Sequence, residues 1–354
     1  MTSQGSLTSP EPMTEPVSWA GQEGPETQVS QGRPKKNKKR RLLAALSLTL
    51  TFLLIGAIVW FVLGHLGEFK ELWQKPIPKS ILFLLPLAWF MMLVSNSELL
   101  RWPLIAYDLK LTFLEGLALT MGTTAINYVI PLKSGSGLRG LYLASGRGLT
   151  VTNYLAQLVS VTTMTLATAS FFAFIGLIFL WLQGQNPGPV LLIYFGGTAI
   201  IGLASVLFLG RLPFKLPKRL LALVEGWDRL RSDRKLFLRL TLLQLAYFFS
   251  WAFFNWLTLA GFGVFLDPAQ IVFFCGGQVH TTILNLTPAG LGIVEAFSVY
   301  AGQVLEFTPA QALSAQALNR ATAVIMLSIF GLWGWFYLTS LLRKRKKGPL
   351  WPRL

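Results

Sequence analysis

Six stretches of the chain stay apolar for about 20 residues or more: Leu42–Leu63, Ile81–Leu100, Tyr154–Leu182, Val190–Leu209, Leu236–Leu259 and Leu313–Leu342. A helix rises ~1.5 Å per residue, so about 20 residues cross the ~30 Å hydrocarbon core of a bilayer. Lipid offers backbone amides no partner, so continuous apolar runs of this length read as helices that satisfy their own hydrogen bonds. The chain is therefore expected to be an all-α polytopic membrane protein, a helical bundle of about six full spans. Pro86 and Pro103, in or beside the second span, are compatible with that reading, because membrane helices tolerate proline. Composition agrees: 13% of residues are charged, against roughly a quarter in soluble domains. A water-soluble enzyme and a disordered chain are excluded, and a single cysteine, Cys275, excludes a disulfide scaffold.

The formal net charge is nonetheless +16, from 31 Lys and Arg against 15 Asp and Glu. A basic excess of this size raises nucleic acid as a partner, but its distribution points elsewhere. Seven basic residues lie in Arg33–Arg41, nine in Arg211–Arg239 and six in Arg343–Arg353, leaving nine for the rest of the chain. Clusters flanking apolar spans are the mark of cytoplasmic membrane flanks. Nucleic acid drops out, and anionic lipids become the expected partners of the basic loops. The first 32 residues contain no Lys or Arg and are rich in Pro, Ser, Thr, Gly and Gln. Residues 1–41 are accordingly expected to be a disordered tail ending in a basic juxtamembrane run. Residues 42–342 form the membrane domain, with a basic cytoplasmic loop at 211–236, and residues 343–354 form a basic tail. The first span reads as an uncleaved anchor, since it begins only after Arg41 and lacks a cleavage site.

Three further apolar stretches are short or interrupted: Thr112–Ile130, Ala269–Leu284 and Leu291–Leu305. With Arg33–Arg41 in the cytoplasm, a full crossing at Thr112–Ile130 without return would put both later basic clusters outside. A chain that turns back within the membrane near Asn127–Gly137 keeps them inside, with both termini cytoplasmic. The loop Gly64–Lys79 fits less well, because Lys70, Lys75 and Lys79 then face outward. The second short pair is expected to form a second re-entrant hairpin, coming from the opposite face. Its setting is the plasma membrane, the inner membrane of a bacterial cell.

The two turning points share a pattern. The first runs from Asn127 through Pro131, Gly135 and Gly137 to Arg139; the second runs from Asn285 through Pro288, Gly290 and Gly292 to Glu295. Inverted pairs of interrupted helices point to the midplane site of a transporter. The half-helices expected to begin after Gly137 and Gly292 turn positive N-terminal ends toward the breaks, which suits an anion such as phosphate. The plainer reading is an ordinary kink at each site, with Asn127, Asn285 and Asn319 only capping or cross-linking helices. Ionisable residues within spans are costly and need a partner or a cavity. Glu295 and Arg320 meet that description, as a functional pair or as a buried structural one. Glu98 and Arg101 read as an interfacial i,i+3 pair, and His280 as structural. No metal-spaced cluster, cofactor motif or nucleophile–base spacing is evident, so no cofactor, no metal and no catalytic residue are expected. Within the loop, Leu220, Leu223, Val224 and Trp227 with interleaved basic residues read as an amphipathic interfacial helix over Leu216–Arg234.

On these residues the chain resembles the flippase-like transmembrane family of lysylphosphatidylglycerol synthase. The family pattern, Asn then Pro-x-x-x-Gly-Glu-x-x-Arg, is met by Asn127, Pro131, Gly135 and Arg139. Pro-Gly-Gly-x-Gly-x-x-Glu is met by Pro288, Gly290, Gly292 and Glu295, and the final-helix Arg by Arg320. Ser136 stands where the family has Glu, Ala289 replaces a Gly, and Ser160-Val-Thr-Thr lacks the usual Asp-Arg. The resemblance implies two re-entrant hairpins around a lipid-accessible cavity. It further implies translocation of a membrane phospholipid or lipid-linked saccharide, its headgroup bound at the residues just named. An aminoacyl-transferase domain is not expected, nor is lysyl transfer. The alternatives are a non-catalytic partner of a lipid-modifying enzyme and a lipid-phosphate-dependent transferase. A lipid-synthesis enzyme and a second copy of the chain are the protein partners this allows.

Overall fold

The computed structural model describes residues 49, 52–53, 56–130, 133–208, 218–284 and 287–346. Among them the regular elements are helices alone: α1 (Leu66–Gln74), α2 (Lys79–Arg101), α3 (Phe113–Val129), α4 (Ser134–Arg147), α5 (Val151–Leu182), α6 (Pro189–Phe208), α7 (Lys218–Ser232), α8 (Arg234–Ala260), α9 (Pro268–Leu284), α10 (Ile293–Val304) and α11 (Pro309–Lys346), with single 3-10 turns at Pro103–Tyr107 and Pro288–Gly290. Five helices are long and apolar enough to cross a membrane, based on α2, α5, α6, α8 and α11. The all-α polytopic membrane class therefore holds. Half of the expected first span, Leu42–Leu63, lies outside the described residues, as do the whole Arg33–Arg41 run and the stretch 209–217.

Polarity is arranged inside out relative to a soluble bundle. Phe83, Ile193, Val190 and Phe336 are exposed, whereas Gln157, Gln244, Asn255, Gln278 and Ser298 are buried. Lipid is as apolar as leucine, so the apolar faces look outward and polar side chains cross-link helices within. Close packing depends on small residues where helix backbones meet. A methyl group at Gly276 would lie 2.5 Å from the Ala169 carbonyl, and one at Gly176 the same distance from that of Ala269. The seam between α5 and α9 is thus closed by backbone-to-backbone approach. Elsewhere α2 lies along α8, and α3 along α11. The main core runs from Leu85, Trp89 and Leu93 on α2 through Phe248 and Phe254 on α8 to Phe273 and Phe274 on α9.

Helix lengths separate two pairs from the rest. α3 and α4 have 17 and 14 residues, and α9 and α10 have 17 and 12. At ~1.5 Å per residue each falls short of a ~30 Å core. The partners within each pair pack on one another, and the 3-10 turn of the second break packs on α3. The two breaks are therefore brought together.

Two boundaries differ from expectation for local reasons. α4 begins at Ser134 rather than after Gly137, because Lys133 occupies the N-cap and the Ser136 amide already donates to its carbonyl (2.9 Å). α11 begins at Pro309, a residue suited to the first turn of a helix, four residues before the apolar run. The basic segment does form a helix, α7, but its apolar face meets protein. Trp227 and Leu230 are buried against Met164, Leu236 and Leu240, and Arg229 lies over the Tyr107 ring, 5.8 Å from its centroid.

Candidate functional site

The first break is knotted by short-range contacts. Asn127, in the last turn of α3, accepts a hydrogen bond from the Gly135 amide through Oδ1 at 2.8 Å. The approach leaves no room for a side chain: a methyl group at Gly135 would lie 2.0 Å from the Thr123 carbonyl oxygen. Ser134 Oγ donates back to the Ile130 carbonyl (3.3 Å). Between them Lys133 adopts the left-handed conformation, φ 50° and ψ 37°, which is strained for a residue with a Cβ. One turn into α4, Arg139 donates to Thr123 Oγ1 from Nη2 (2.8 Å) and Nε (3.3 Å). Among the described residues no carboxylate lies within ion-pairing distance of Arg139 or Lys133.

The second break is built differently. Gly292 caps α10 with φ 88°, and its amide donates to Glu295 Oε2 at 2.7 Å. The other carboxylate oxygen accepts from Arg320 Nε at 2.5 Å. Arg320 Nη1 reaches the carbonyl of Ala289 (3.4 Å), itself a left-handed residue with φ 51°. Thr287 Oγ1 closes the turn on the Leu291 carbonyl (2.9 Å). Glu295 is thereby held between its own helix start and α11, and it is 6% exposed.

A cavity of about 320 Å³ lies between these pairs, walled by α2, α3, α4, α8, α9, α10 and α11 and by Ala289 of the 3-10 turn. Of the residues singled out from sequence, Asn127, Arg139 and Arg320 line it, as does Asn319. Gly135, Pro288, Gly290, Gly292 and Glu295 shape its margins without lining it, and Pro131 and Asn285 lie outside the described residues. At each half-helix start one backbone amide is already engaged, that of Gly135 by Asn127 and that of Gly292 by Glu295.

Sequence spacing missed several lining groups. Lys133, Ser136, Trp251 and Gln316 face the same space. Gln316 Nε2 and Trp251 Nε1 are buried donors without a partner. Both residues reach the cavity with other atoms, since these two nitrogens are themselves fully covered. Beside it, a largely apolar groove of about 480 Å³ runs between α3 and α11, past Ala125, Val129, Leu327 and Gly331. Tyr128 lines both spaces.

Two further polar clusters stand apart. Glu115 is fully buried and accepts from Tyr142 Oη at 2.7 Å and from the Arg147 guanidinium, locking the far ends of α3 and α4 together. His280 shares Nε2 with Ser170 and Nδ1 with Tyr194, both at 2.9 Å. Ser170 thus meets an imidazole 110 residues away in sequence. Glu98 binds Arg101 (2.8 Å) and the Trp102 indole (2.7 Å), as the i,i+3 reading anticipates. The described residues contain no cluster of three His, Cys, Asp or Glu able to hold a metal ion.

A family model described as the lysylphosphatidylglycerol synthase TM region matches residues 36–331, which take in both breaks, the cavity and most of α11. No curated protein matches the chain.

Proposed function

The chain belongs to the family of the lysylphosphatidylglycerol synthase TM region, a membrane domain of lipid-related proteins, and we propose that it translocates a lipid or lipid-linked saccharide across the bilayer. The observation that carries this reading is a polar cavity enclosed by an apolar bundle, lined by unpaired cations and adjoining an apolar groove. A charge at this depth is costly unless it meets a partner. A headgroup phosphate would supply that partner for Arg139 and Lys133 while the acyl chains stay in the groove between α3 and α11 or in bulk lipid. Tyr128, shared by both spaces, marks where headgroup and tail part.

Two short-helix pairs meeting at their breaks suit this task. In the proposed arrangement they are re-entrant hairpins entering from opposite faces, and the termini and α7 lie on the cytoplasmic side of the plasma membrane. Non-helical backbone is tolerated at membrane depth where it lines a wet cavity, and each break does border one. Re-entrant halves can rock past each other, opening the cavity to either leaflet in turn.

The test is reconstitution of the full chain into liposomes carrying a trace of fluorescent phospholipid, with an impermeant quencher added outside. Protein-dependent loss of the inner-leaflet signal is expected. A quenching curve that matches protein-free liposomes, for phospholipid and for a polyprenyl-linked saccharide alike, would overturn the reading.

A further inference from the structure

The inventory of the cavity wall goes further than "anionic headgroup". Three cations line it, Lys133, Arg139 and Arg320, and among the described lining residues there is no Asp or Glu. Arg320 is neutralised by Glu295, which sits behind the wall. Arg139 and Lys133 have no such carboxylate partner among the described residues, so the wall carries two positive charges without a counter-charge.

A ligand satisfies this wall by bringing two negative charges and several acceptor oxygens. A terminal phosphate does so, because its oxygens match guanidinium and ammonium donors in charge-assisted hydrogen bonds. An ammonium group does the reverse. It would enter a space with two like charges and no carboxylate to receive it, an arrangement that selects against a partner. Ser136 adds only a neutral hydroxyl to the wall, one turn from Arg139. The strained backbone of Lys133 is a second sign, since left-handed non-glycine residues persist where surroundings over-determine them and cluster at ligand sites.

We propose that the cavity selects a lipid whose headgroup ends in a doubly charged phosphate and carries no amine, a lipid phosphomonoester or diphosphate. Amine-bearing phospholipids are thereby excluded. Lys133 and Arg139 hold the phosphate. The proposal rests on the cavity being a headgroup site, and it names the charge that site prefers.

The experiment is lipid titration of the purified full chain in detergent, read by native mass spectrometry. The probes are phosphatidic acid, phosphatidylglycerol, phosphatidylethanolamine and lysylphosphatidylglycerol, all with the same acyl chains. Phosphatidic acid is expected to bind about tenfold tighter than phosphatidylglycerol, a free-energy difference of about 1.4 kcal/mol, with the two amine-bearing lipids weaker still. In Lys133→Gln and Arg139→Gln the preference for phosphatidic acid is expected to fall to within about twofold. Ser136→Glu is expected to narrow the gap in favour of lysylphosphatidylglycerol. Equal or tighter binding of an amine-bearing lipid to the unmodified chain would overturn the proposal, whatever the variants do. Competition with inorganic phosphate and glycerol 3-phosphate separates lipid from soluble sources. Displacement of phosphatidic acid by either at matching concentration would overturn the lipid assignment. The two readings fail apart: ranked binding without translocation sinks the translocase alone, and translocation without ranking sinks this proposal alone.

Discussion

At the second break the carboxylate of Glu295 takes both the Gly292 amide and the Arg320 guanidinium. At the first break, Arg139 meets only the hydroxyl of Thr123, and Lys133 meets no side-chain partner among the described residues. The two segments share the order Asn, Pro and two Gly two residues apart, and each holds one non-glycine residue in a left-handed turn, Lys133 and Ala289. Their electrostatics are nevertheless opposite. The second break is closed on itself, so removing its charges should damage folding. The first is open toward the cavity, and its charges should matter to a ligand more than to the fold. A repeated backbone device has been given two jobs, one to build the site and one to occupy it.

The largest effect that could break this contrast is expected at Glu295. Glu295→Gln leaves Arg320 buried without its counter-charge, a change that typically costs about 3–5 kcal/mol. The thermal midpoint in detergent should fall by several degrees, and the double variant Glu295→Gln with Arg320→Gln should recover most of the loss. An unchanged midpoint for the single variant would show that the second break is not the scaffold described here. A smaller effect is expected at Gly135, where an added methyl group cannot fit 2.0 Å from the Thr123 carbonyl. Gly135→Ala must part α3 from α4, an overpacking cost of about 1–3 kcal/mol. It should also disturb the alignment of Arg139 with Thr123, so lipid binding should weaken beyond what the midpoint explains. The smallest is expected at Glu98, an i,i+3 partner of Arg101 on a single helix with both side chains part-exposed. Glu98→Gln should cost about 1 kcal/mol, since the carboxylate also holds the Trp102 indole, and leave binding unchanged. A large loss there would mean that the charges governing the site extend beyond the two breaks.

Much of this was readable from residue order. Apolar runs of about 20 residues mark spans because lipid forces the backbone into helices, and α2, α5, α6, α8 and α11 lie where those runs are. The breaks were readable because Pro and Gly are the residues that interrupt a helix. Three scattered polar residues, Asn127, Arg139 and Arg320, were picked out because polarity is expensive in lipid, and they meet in one cavity. What escaped was what depends on packing between distant helices. Gln316 and Trp251 carry no charge and lie on different helices, so nothing in their neighbourhoods marks them as residues of one cavity wall. Lys133 looked like an ordinary loop residue until the turn placed it on the cavity wall. Glu115 stands three residues after Thr112, the spacing of a helix cap, and Thr112 does cap α3. Its ties to Tyr142 and Arg147 arise only when α4 folds back. On α7, Trp227 packs on protein, because an apolar stripe shows which side is apolar and not what covers it.

The central claim is that the first break binds while the second one builds. It is tested most directly by measuring lipid translocation and thermal midpoint together in Arg139→Gln, reconstituted in liposomes containing phosphatidic acid. The account predicts translocation at least about tenfold slower with a midpoint within a degree or two of the unmodified chain. Translocation at the unmodified rate, or a midpoint that collapses as far as that of Glu295→Gln, would contradict it.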